Sequence, residues 1–435
     1  MNMEHVGKKV LVVGSGGREH ALVWALRNSP QVGQVLCTPG NAGIASLAEC
    51  VPLPVHDYEG IARYAVEQEV DLVVVGPDDP LAGGIVDVLK AQGLRVFGPD
   101  RKAAEIEGSK VFMKHLLHKY KIPTAAYAAF DNFTEASAYV HQHMLPVVIK
   151  ADGLAAGKGV VIAHTHEEAI EVLHELMVVG KFGSSGSKVV IEEFMLGEEM
   201  SILAFVDGET VRVCEPAQDH KPIFDGDRGP NTGGMGTYSP LPQFSPSILE
   251  KARRTIIEPA ARAMVAEGRS FHGLLFAGLM ITPDGEPKVI EFNARFGDPE
   301  TQSVLPRLKS DLFEVLWAVA EGSLQKIELE WHDHAAMCVI VAAEGYPGDV
   351  RRGDVITGLE QAAESALLFH AGTVCDEDGT WRTAGGRVLG VVGLGDNVAA
   401  AKAKAYEAVQ RIQFSGMQYR SDIGVKSERI QVQTR

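Results

Sequence analysis

From residue 8 to 100, short apolar runs alternate with stretches in which apolar positions recur at helical spacing. Lys9–Val13, Val35–Cys37, Asp71–Val75 and Arg95–Phe97 read as strands, and Glu19–Arg27, Tyr58–Glu67 and Gly84–Gln92 as helices. This order predicts a doubly wound parallel sheet. Its ligand loops should lie at the carboxyl ends of the strands, where Gly14–Arg18, Pro39–Gly43 and Gly76–Pro80 fall. Gly108–Tyr120 has a helical pattern that Lys121-Ile122-Pro123 breaks. Strands and helices then follow around a Gly-rich loop, which predicts a small separate α+β lobe. A larger α/β core comes next, and a last α+β unit carries strands at Met337–Ala342 and Val388–Gly393 and a helix at Ala399–Ile412. The expected division is an N-terminal α/β domain at 1–105, a helical connection at 106–123, a small lobe at 124–195, a central core at 196–328 and a C-terminal domain at 329–435.

Composition narrows the function classes. The chain has 435 residues, with 41 Lys and Arg against 57 Asp and Glu, a formal net charge of −16. That balance disfavours a nucleic-acid or anionic-membrane surface, which needs a basic face. No apolar run approaches the roughly 18 residues of a membrane span. The start of the chain lacks the apolar core of a signal segment. The 5 cysteines are scattered and never spaced as CxxC, so they read as reduced thiols of a cytoplasmic protein.

The segment with most chemical content is Val289-Ile290-Glu291-Phe292-Asn293-Ala294-Arg295. On a strand, Glu291 and Asn293 project from one face, a hard oxygen pair suited to Mg²⁺ bridging phosphates. Arg295 joins that face if the strand runs on, and would set a fixed positive charge beside a transferred phosphoryl group. Gly14-Ser15-Gly16-Gly17-Arg18-Glu19 follows a strand and opens a helix. It is close to a dinucleotide fingerprint, but Glu19 stands where the third glycine belongs, so a phosphate monoester is the preferred ligand, with Arg18 adding a charged fork.

Lys150 ends an apolar strand before Ala151-Asp152-Gly153-Leu154-Ala155-Ala156-Gly157-Lys158-Gly159. The small residues allow a flap to close over phosphates, with Lys158 at its tip. It is not a Walker A loop, because Gly159 stands where Ser or Thr is required. Val190–Leu196 reads as a strand running into a turn, with an acidic run around Glu192, Glu193, Glu198 and Glu199. Gln218–Lys221 and Asp225–Gly236 form a long glycine-rich, acidic loop that would be costly unless it binds something. Asp219 and Asp227 could hold an ammonium, and Lys221 or Arg228 an anion. His141 and His143 read as solvated. No GxSxG elbow or Cys/His signature is present, so a covalent enzyme nucleophile is not expected.

Together these segments resemble the ATP-grasp enzymes and, among them, the phosphoribosylamine–glycine ligase (glycinamide ribonucleotide synthetase) family. The likeness rests on GSGGREHA at Gly14–Ala21, PGNAG at Pro39–Gly43, Gly108-Ser109-Lys110, Lys150–Val160, Glu192–Ser201, DRGPNTGGMGTYSP at Asp227–Pro240 and EFNARFGDPETQ at Glu291–Gln302, with Thr383–Leu389 and Tyr419–Gly424. It implies an N-domain, a small mobile lobe, an ATP-grasp core and a C-terminal domain. It further implies that Lys110 and Lys150 contact the phosphates of ATP and that Gly153, Gly157, Lys158 and Gly159 belong to the flap. Glu192 and the Glu193–Met195 backbone would face adenine and Glu199 the ribose. Glu291 and Asn293 would hold Mg²⁺ or Mn²⁺, with Lys150, Arg295 and Asp219 as the catalytic set. Gly14, Gly16, Gly17, Arg18, Asn41, Lys221, Asp227, Asn231, Thr232, Gly233 and Asp298 would serve glycine and 5-phosphoribosylamine. Asp219, Asp227 and Asp298 all remain open as the partner of the glycine amine.

The implied activity is a ligase of purine biosynthesis, working as a monomer or weak homodimer without nucleic acid or membrane. Two features depart from the wider pattern. Ala277-Gly278-Leu279-Met280 offers no acid where many ATP-grasp enzymes carry another metal ligand, and Gly76-Pro77-Asp78 replaces the usual Gly-Pro-Glu. The alternatives are another ATP-grasp ligase or carboxylase using bicarbonate or a different amine, an NAD-dependent oxidoreductase built on the first glycine loop, and a non-catalytic nucleotide-binding module.

Overall fold

The computed structural model describes residues 7–154, 159–181 and 183–429. Its first unit is a five-stranded sheet in the order Glu49–Cys50, Val32–Pro39, Lys8–Gly14, Leu72–Val75, Val96–Phe97, with every pairing parallel. Val10–Val13 and Leu72–Val75 are buried on both faces, as continuous apolar runs in a parallel sheet must be. The loop after Lys8–Gly14 opens the helix Gly17–Arg27. Glu19 explains why this turn departs from a dinucleotide fingerprint. Its carboxylate folds back to accept from Gly16 N–H at 2.6 Å, capping the helix start. A Cβ at Gly76 would lie 2.1 Å from Glu19 Oε1, so Glu19 fills the space between the two strand ends.

The small lobe is a four-stranded antiparallel sheet in the order Tyr127–Phe130, Val189–Glu193, Val147–Ala151, Val160–Ala163. The helices Phe133–Gln142 and His166–His174 share its apolar core. The central sheet runs Thr210–Val213, Glu198–Asp207, His272–Ile281, Pro287–Asn293, all antiparallel. The helix expected at Gly108–Tyr120 is Lys110–Lys119, and a separate helix, Arg101–Gly108, ends just before it. Ser109 makes the break: its hydroxyl caps Phe112 N–H at 3.0 Å and donates to Asp152 Oδ1 at 3.0 Å.

Two expectations change at the C-terminal sheet, whose order is Gln218–Asp219, Gly236–Ser239, Ala335–Ala342, Arg387–Gly395, Leu367–His370. Its first two strands come from the stretch assigned to the central core, so a boundary at 329 divides the chain but not the sheet. Nor is 225–236 a structureless loop. Pro222–Phe224 and Arg228–Asn231 pair as a hairpin. His220 and Met235 exchange backbone bonds with Gly236 and His220 at 3.0 and 2.9 Å, and Thr232 N–H donates to Lys221 O at 2.8 Å. Glycines that looked costly are thereby tied down, because their backbone polar groups find partners.

Three buried histidines knit these units. His370 N–H donates to His20 Nδ1 at 2.9 Å, joining the first helix to the last sheet, and His220 Nδ1 lies 3.1 Å from Gly236 O. Burial pushes His20 down to about 3 and His220 and His370 down to about 4. Each ring is held neutral, so below the ordinary value of 6.5 the folded state binds fewer protons than the unfolded chain. Their support of the fold is complete above that pH and fades as pH falls towards the folded values. The ring Cε1–H resonances of these three histidines are expected not to titrate between pH 8 and 5; a sigmoidal shift centred near pH 6.5 for any of them would contradict its burial as a neutral group.

Candidate active site

The strand Pro287–Asn293 carries a β-bulge. Gly278 pairs with Glu291 but Leu279 pairs with Val289, which leaves Ile290 as the extra residue. Strict alternation would put Val289 on the face of Glu291 and Asn293. The bulge shifts the parity, so Val289 and Phe292 both enter the core while Glu291 and Asn293 face a cleft. The carbonyl of Ile290 accepts from Lys150 Nζ at 3.0 Å, so the same irregularity docks the small-lobe lysine on the carboxylate strand.

The cleft encloses about 650 Å³ and is lined by Lys110, Lys150, Lys221, Glu291, Asn293 and Arg295, among others. Lys221 Nζ stands 3.4 Å from Glu291 Oε1 and 3.6 Å from Glu199 Oε2. Lys221, with Lys150 and Lys110 behind it, outweighs burial and holds the Glu291 carboxyl down at about 2. Glu199 and Glu291 in turn raise Lys221, so it stays charged. Lys110 donates to Gly153 O at 3.1 Å, where the expected flap begins, and burial lowers its pKa.

The strand does not run on to Arg295; it ends at Asn293. Arg295 reaches the face because Glu107 holds it, at 3.2 Å, and its Nη2 donates to Asn293 Oδ1 at 3.0 Å. Glu107 also accepts from Ala294 N–H at 2.7 Å, and burial pushes it up to about 7. Asp78, at the start of the helix Asp78–Gly83, lines the same end of the cleft, and its charge adds to the upward shift of Glu107.

The three aspartates separate clearly. Asp227 is absent from the lining, and its carboxylate is taken up by Arg420 at 2.9 Å and Lys426 at 2.8 Å. Asp298 lines the cleft but is paired with Arg387 at 2.8 Å and Gln302 at 2.7 Å; burial opposes its ionisation, and Arg387 and Arg18 prevail to lower it. Asp219, half-buried, lies beside the buried Glu300; desolvation together with the Glu300 charge raises Asp219, while desolvation raises Glu300. Both therefore present carboxyl groups with incomplete neutralisation. Arg228, an alternative anion partner, donates to Asp225 O at 3.0 Å and is exposed outside the lining.

The residues expected on the nucleotide side, Glu192, Glu193, Met195, Glu199 and Gly159, all line the cleft. Glu192 does not present a free carboxylate to a base. Its oxygens lie 3.1 Å from Lys114 and 3.0 Å from Lys150. Gly157 and Lys158 lie outside the described residues. On the opposite side, Arg18 lines the cleft, held by Glu19 at 2.5 Å and by Phe296 O at 3.2 Å. Gly14, Gly16 and Gly17 are not in the lining, although Gly16 and Gly17 abut Asp298 and Gln302. Asn41 is a brace and not part of the lining. Its amide donates to Ser15 O at 2.8 Å and His370 O at 2.9 Å, and its oxygen accepts from Ile44 N–H at 2.9 Å.

Asn231, Thr232 and Gly233 line the cleft. Thr232 Oγ1 donates to Lys221 O at 2.7 Å, and Arg387 clasps Gly233 O at 2.7 Å. Sequence reasoning missed Glu107, Lys114, Glu300 and Arg387. Glu300 and Arg387 sit inside segments already singled out, yet only their distant partners mark them.

The chain as a whole has counterparts among known proteins. Models of phosphoribosylglycinamide synthetase match along the chain: its N domain at 8–107, its ATP-grasp (A) domain at 108–301 and its C domain at 336–426. The chain is 52% identical over 418 residues to a phosphoribosylamine–glycine ligase of Halalkalibacterium halodurans, covering 96% of this chain and 97% of that one. It is 51% identical over 421 residues to the ligase of Ralstonia nicotianae, covering 97% and 100%. The crystal structure of phosphoribosylamine–glycine ligase from Thermotoga maritima superposes with a TM-score of 0.84 at 34% identity, covering 96% of this chain and all, 100%, of that one. The biotin carboxylase domain of Hydrogenobacter thermophilus 2-oxoglutarate carboxylase shares the fold alone, with a TM-score of 0.71 at 16% identity over 95% of this chain and 91% of that one.

Proposed function

The chain belongs to the phosphoribosylglycinamide synthetase family, and from that membership we propose that it joins glycine to 5-phosphoribosylamine, converting ATP to ADP and phosphate and forming glycinamide ribonucleotide for purine biosynthesis. The observation that carries this reading is the Glu291–Asn293 oxygen pair facing Lys110, Lys150 and Lys221 across one cleft.

The pair fits a hard divalent cation: both donors are oxygen, both lie on one strand face, and Glu291 is held ionised. Glu291 and Asn293 would hold Mg²⁺ or Mn²⁺, with nucleotide phosphates and water completing the shell. When bound, the ion neutralises charge on the transferred phosphoryl group. The remaining work falls to side chains. Lys110 and Lys150 face the polyphosphate, and Arg295, fixed by Glu107, adds a preorganised charge beside it. Of the three aspartates left open by sequence, Asp219, with Glu300 beside it, would take the glycine ammonium; the pairing of Asp227 and Asp298 with arginines supports this choice.

The glycine carboxylate attacks the γ-phosphorus of ATP, giving glycyl phosphate and ADP. The amine of 5-phosphoribosylamine then attacks the acyl carbon, the C–O bond to phosphate breaks, and the amine loses a proton as the amide forms. No protein nucleophile is needed. Arg18 and the loops braced by Asn41 lie on the side of the cleft that would take the phosphoribosyl group.

ADP release is expected only with ATP, Mg²⁺, glycine and freshly generated phosphoribosylamine all present, with stoichiometric glycinamide ribonucleotide. Oxygen-18 placed in the glycine carboxylate should appear in the released phosphate. Label confined to the amide would overturn the acyl phosphate route, and ADP release driven by bicarbonate without glycine would overturn the substrate assignment.

A further inference from the structure

Lys114, on the helix Lys110–Lys119, is 0% exposed. A fully buried lysine is uncommon and demands a counter-charge. Its Nζ lies 3.1 Å from Glu192 Oε2 and donates to Thr124 Oγ1 at 2.7 Å. The Thr124 hydroxyl donates in turn to Val289 O at 2.8 Å, next to the bulged Ile290. The other Glu192 oxygen faces Lys150 at 3.0 Å. Lys150 and Glu192 line the cleft, whereas Lys114 stands behind Glu192, outside the lining. Lys110 and Lys114 are one helical turn apart, so one cation reaches the cleft while the next supports its wall.

We infer that Lys114 is a positioning residue for nucleotide binding, which anchors Glu192 from behind and so leaves Lys150 with a positive charge to offer the phosphates. The inference rests on reading the cleft as the ATP site. Two ammonium groups share one carboxylate, so the cluster keeps a single net positive charge. With Lys150 and Glu192 alone, the pair would be neutral and would attract polyphosphate weakly. Lys150 would also have to abandon a buried carboxylate in order to reach a phosphate oxygen, leaving that charge uncompensated. With Lys114 in place, Lys150 can exchange partners without stranding Glu192. Lys114 itself touches no substrate.

The test is Mg-ADP binding to the full-length protein by titration calorimetry, for wild type, Lys114→Met, Glu192→Gln and the double variant. Lys114→Met is expected to weaken binding about tenfold, roughly the effect of one unit of differential charge interaction. The KM for glycine should not move. Adding Glu192→Gln to Lys114→Met removes the unmatched negative charge and restores the net charge, so affinity should rise at least about threefold above that of Lys114→Met, as expected for strongly coupled neighbours. A purely structural Lys114 would give a double variant at least as weak as the single one. That result, or wild-type affinity in Lys114→Met, would overturn the inference. Thermal melting checks the fold; if the Met variant does not fold, Lys114→Gln, which keeps a donor to Thr124, carries the same expectation. Wild-type protein that fails to bind Mg-ADP would instead overturn the reading of the cleft, which makes the two failures distinguishable.

Discussion

Glu291→Ala is expected to stay folded and to lose about 10²–10³-fold or more in turnover, the scale at which a preorganised electrostatic group contributes to phosphoryl transfer. Glu291 is the one carboxylate on the proposed metal face, and nothing on the paired strand can replace it, because its partner there is Gly278. A side chain at Gly278 would not serve in its place: even a Cβ there would lie 3.3 Å from Glu291 Cγ. Without the carboxylate, Lys221 keeps Glu199, at 3.6 Å, and the more distant charges of Asp219 and Glu300, while Lys110 and Lys150 lose a counter-charge they share. The cleft would then meet nucleotide through unbalanced cations and would keep only Asn293 of the proposed pair for the divalent ion.

The ionised carboxylate also supports the fold, fully above its ordinary value of 4.5 and fading as pH falls towards about 2. A melting temperature lowered by several degrees is therefore expected at neutral pH, short of unfolding. Steady-state ADP release across a Mg²⁺ titration, alongside a melt, measures both effects. Unchanged turnover with an unchanged Mg²⁺ dependence would remove Glu291 from the metal site.

Lys150→Met should act on nucleotide affinity. Lys150 spans two lobes, with Glu192 Oε1 and Ile290 O each 3.0 Å from its Nζ. Methionine fills the stem but leaves a bulge carbonyl unpaired and Glu192 matched by Lys114 alone. It also removes the ammonium that stands nearest the carboxylate strand. Loss of one partner from a buried, hydrogen-bonded charge contact costs about 2 kcal/mol or more, so Mg-ADP affinity should fall at least about thirtyfold. Arginine is not expected to rescue the variant, because Lys150 is only 3% exposed and its pocket is shaped for a compact ammonium. Calorimetry with Mg-ADP decides: a Kd within about threefold of wild type, a difference of well under 1 kcal/mol, would exclude a phosphate contact.

Much of this protein is determined locally. The valine-rich runs at Val10–Val13 and Leu72–Val75 and the amphipathic stretches between them suffice for a parallel sheet, since each depends on residues within a few positions of one another. The glycine turn after the first strand, the helix Tyr58–Glu67 and the Glu291–Asn293 spacing follow from the same short-range rules. Sequence alone also brought Lys110, Lys150, Glu291 and Asn293 into one argument, and the structure sets them around one cleft.

Tertiary structure decided what depends on partners remote in the chain. Asp227 and Asp298 are chemically alike, and only the positions of Arg420, Lys426 and Arg387 show that one lies outside the cleft and the other is neutralised within it. The bulge at Ile290 left no mark in a run of apolar residues, because it exists only in register with Leu279. Nothing within a few positions of Lys114 or Glu107 marks them; the small lobe and the carboxylate strand bury them against Glu192 and Arg295. The strands at 218–219 and 236–239 were hidden in a glycine-rich stretch because the first pairs only with the second, and the second is held by the distant Ala335–Ala342. Period and turn chemistry are written within a few residues; charge compensation and strand register are set by whichever distant segment the packing brings within hydrogen-bond reach.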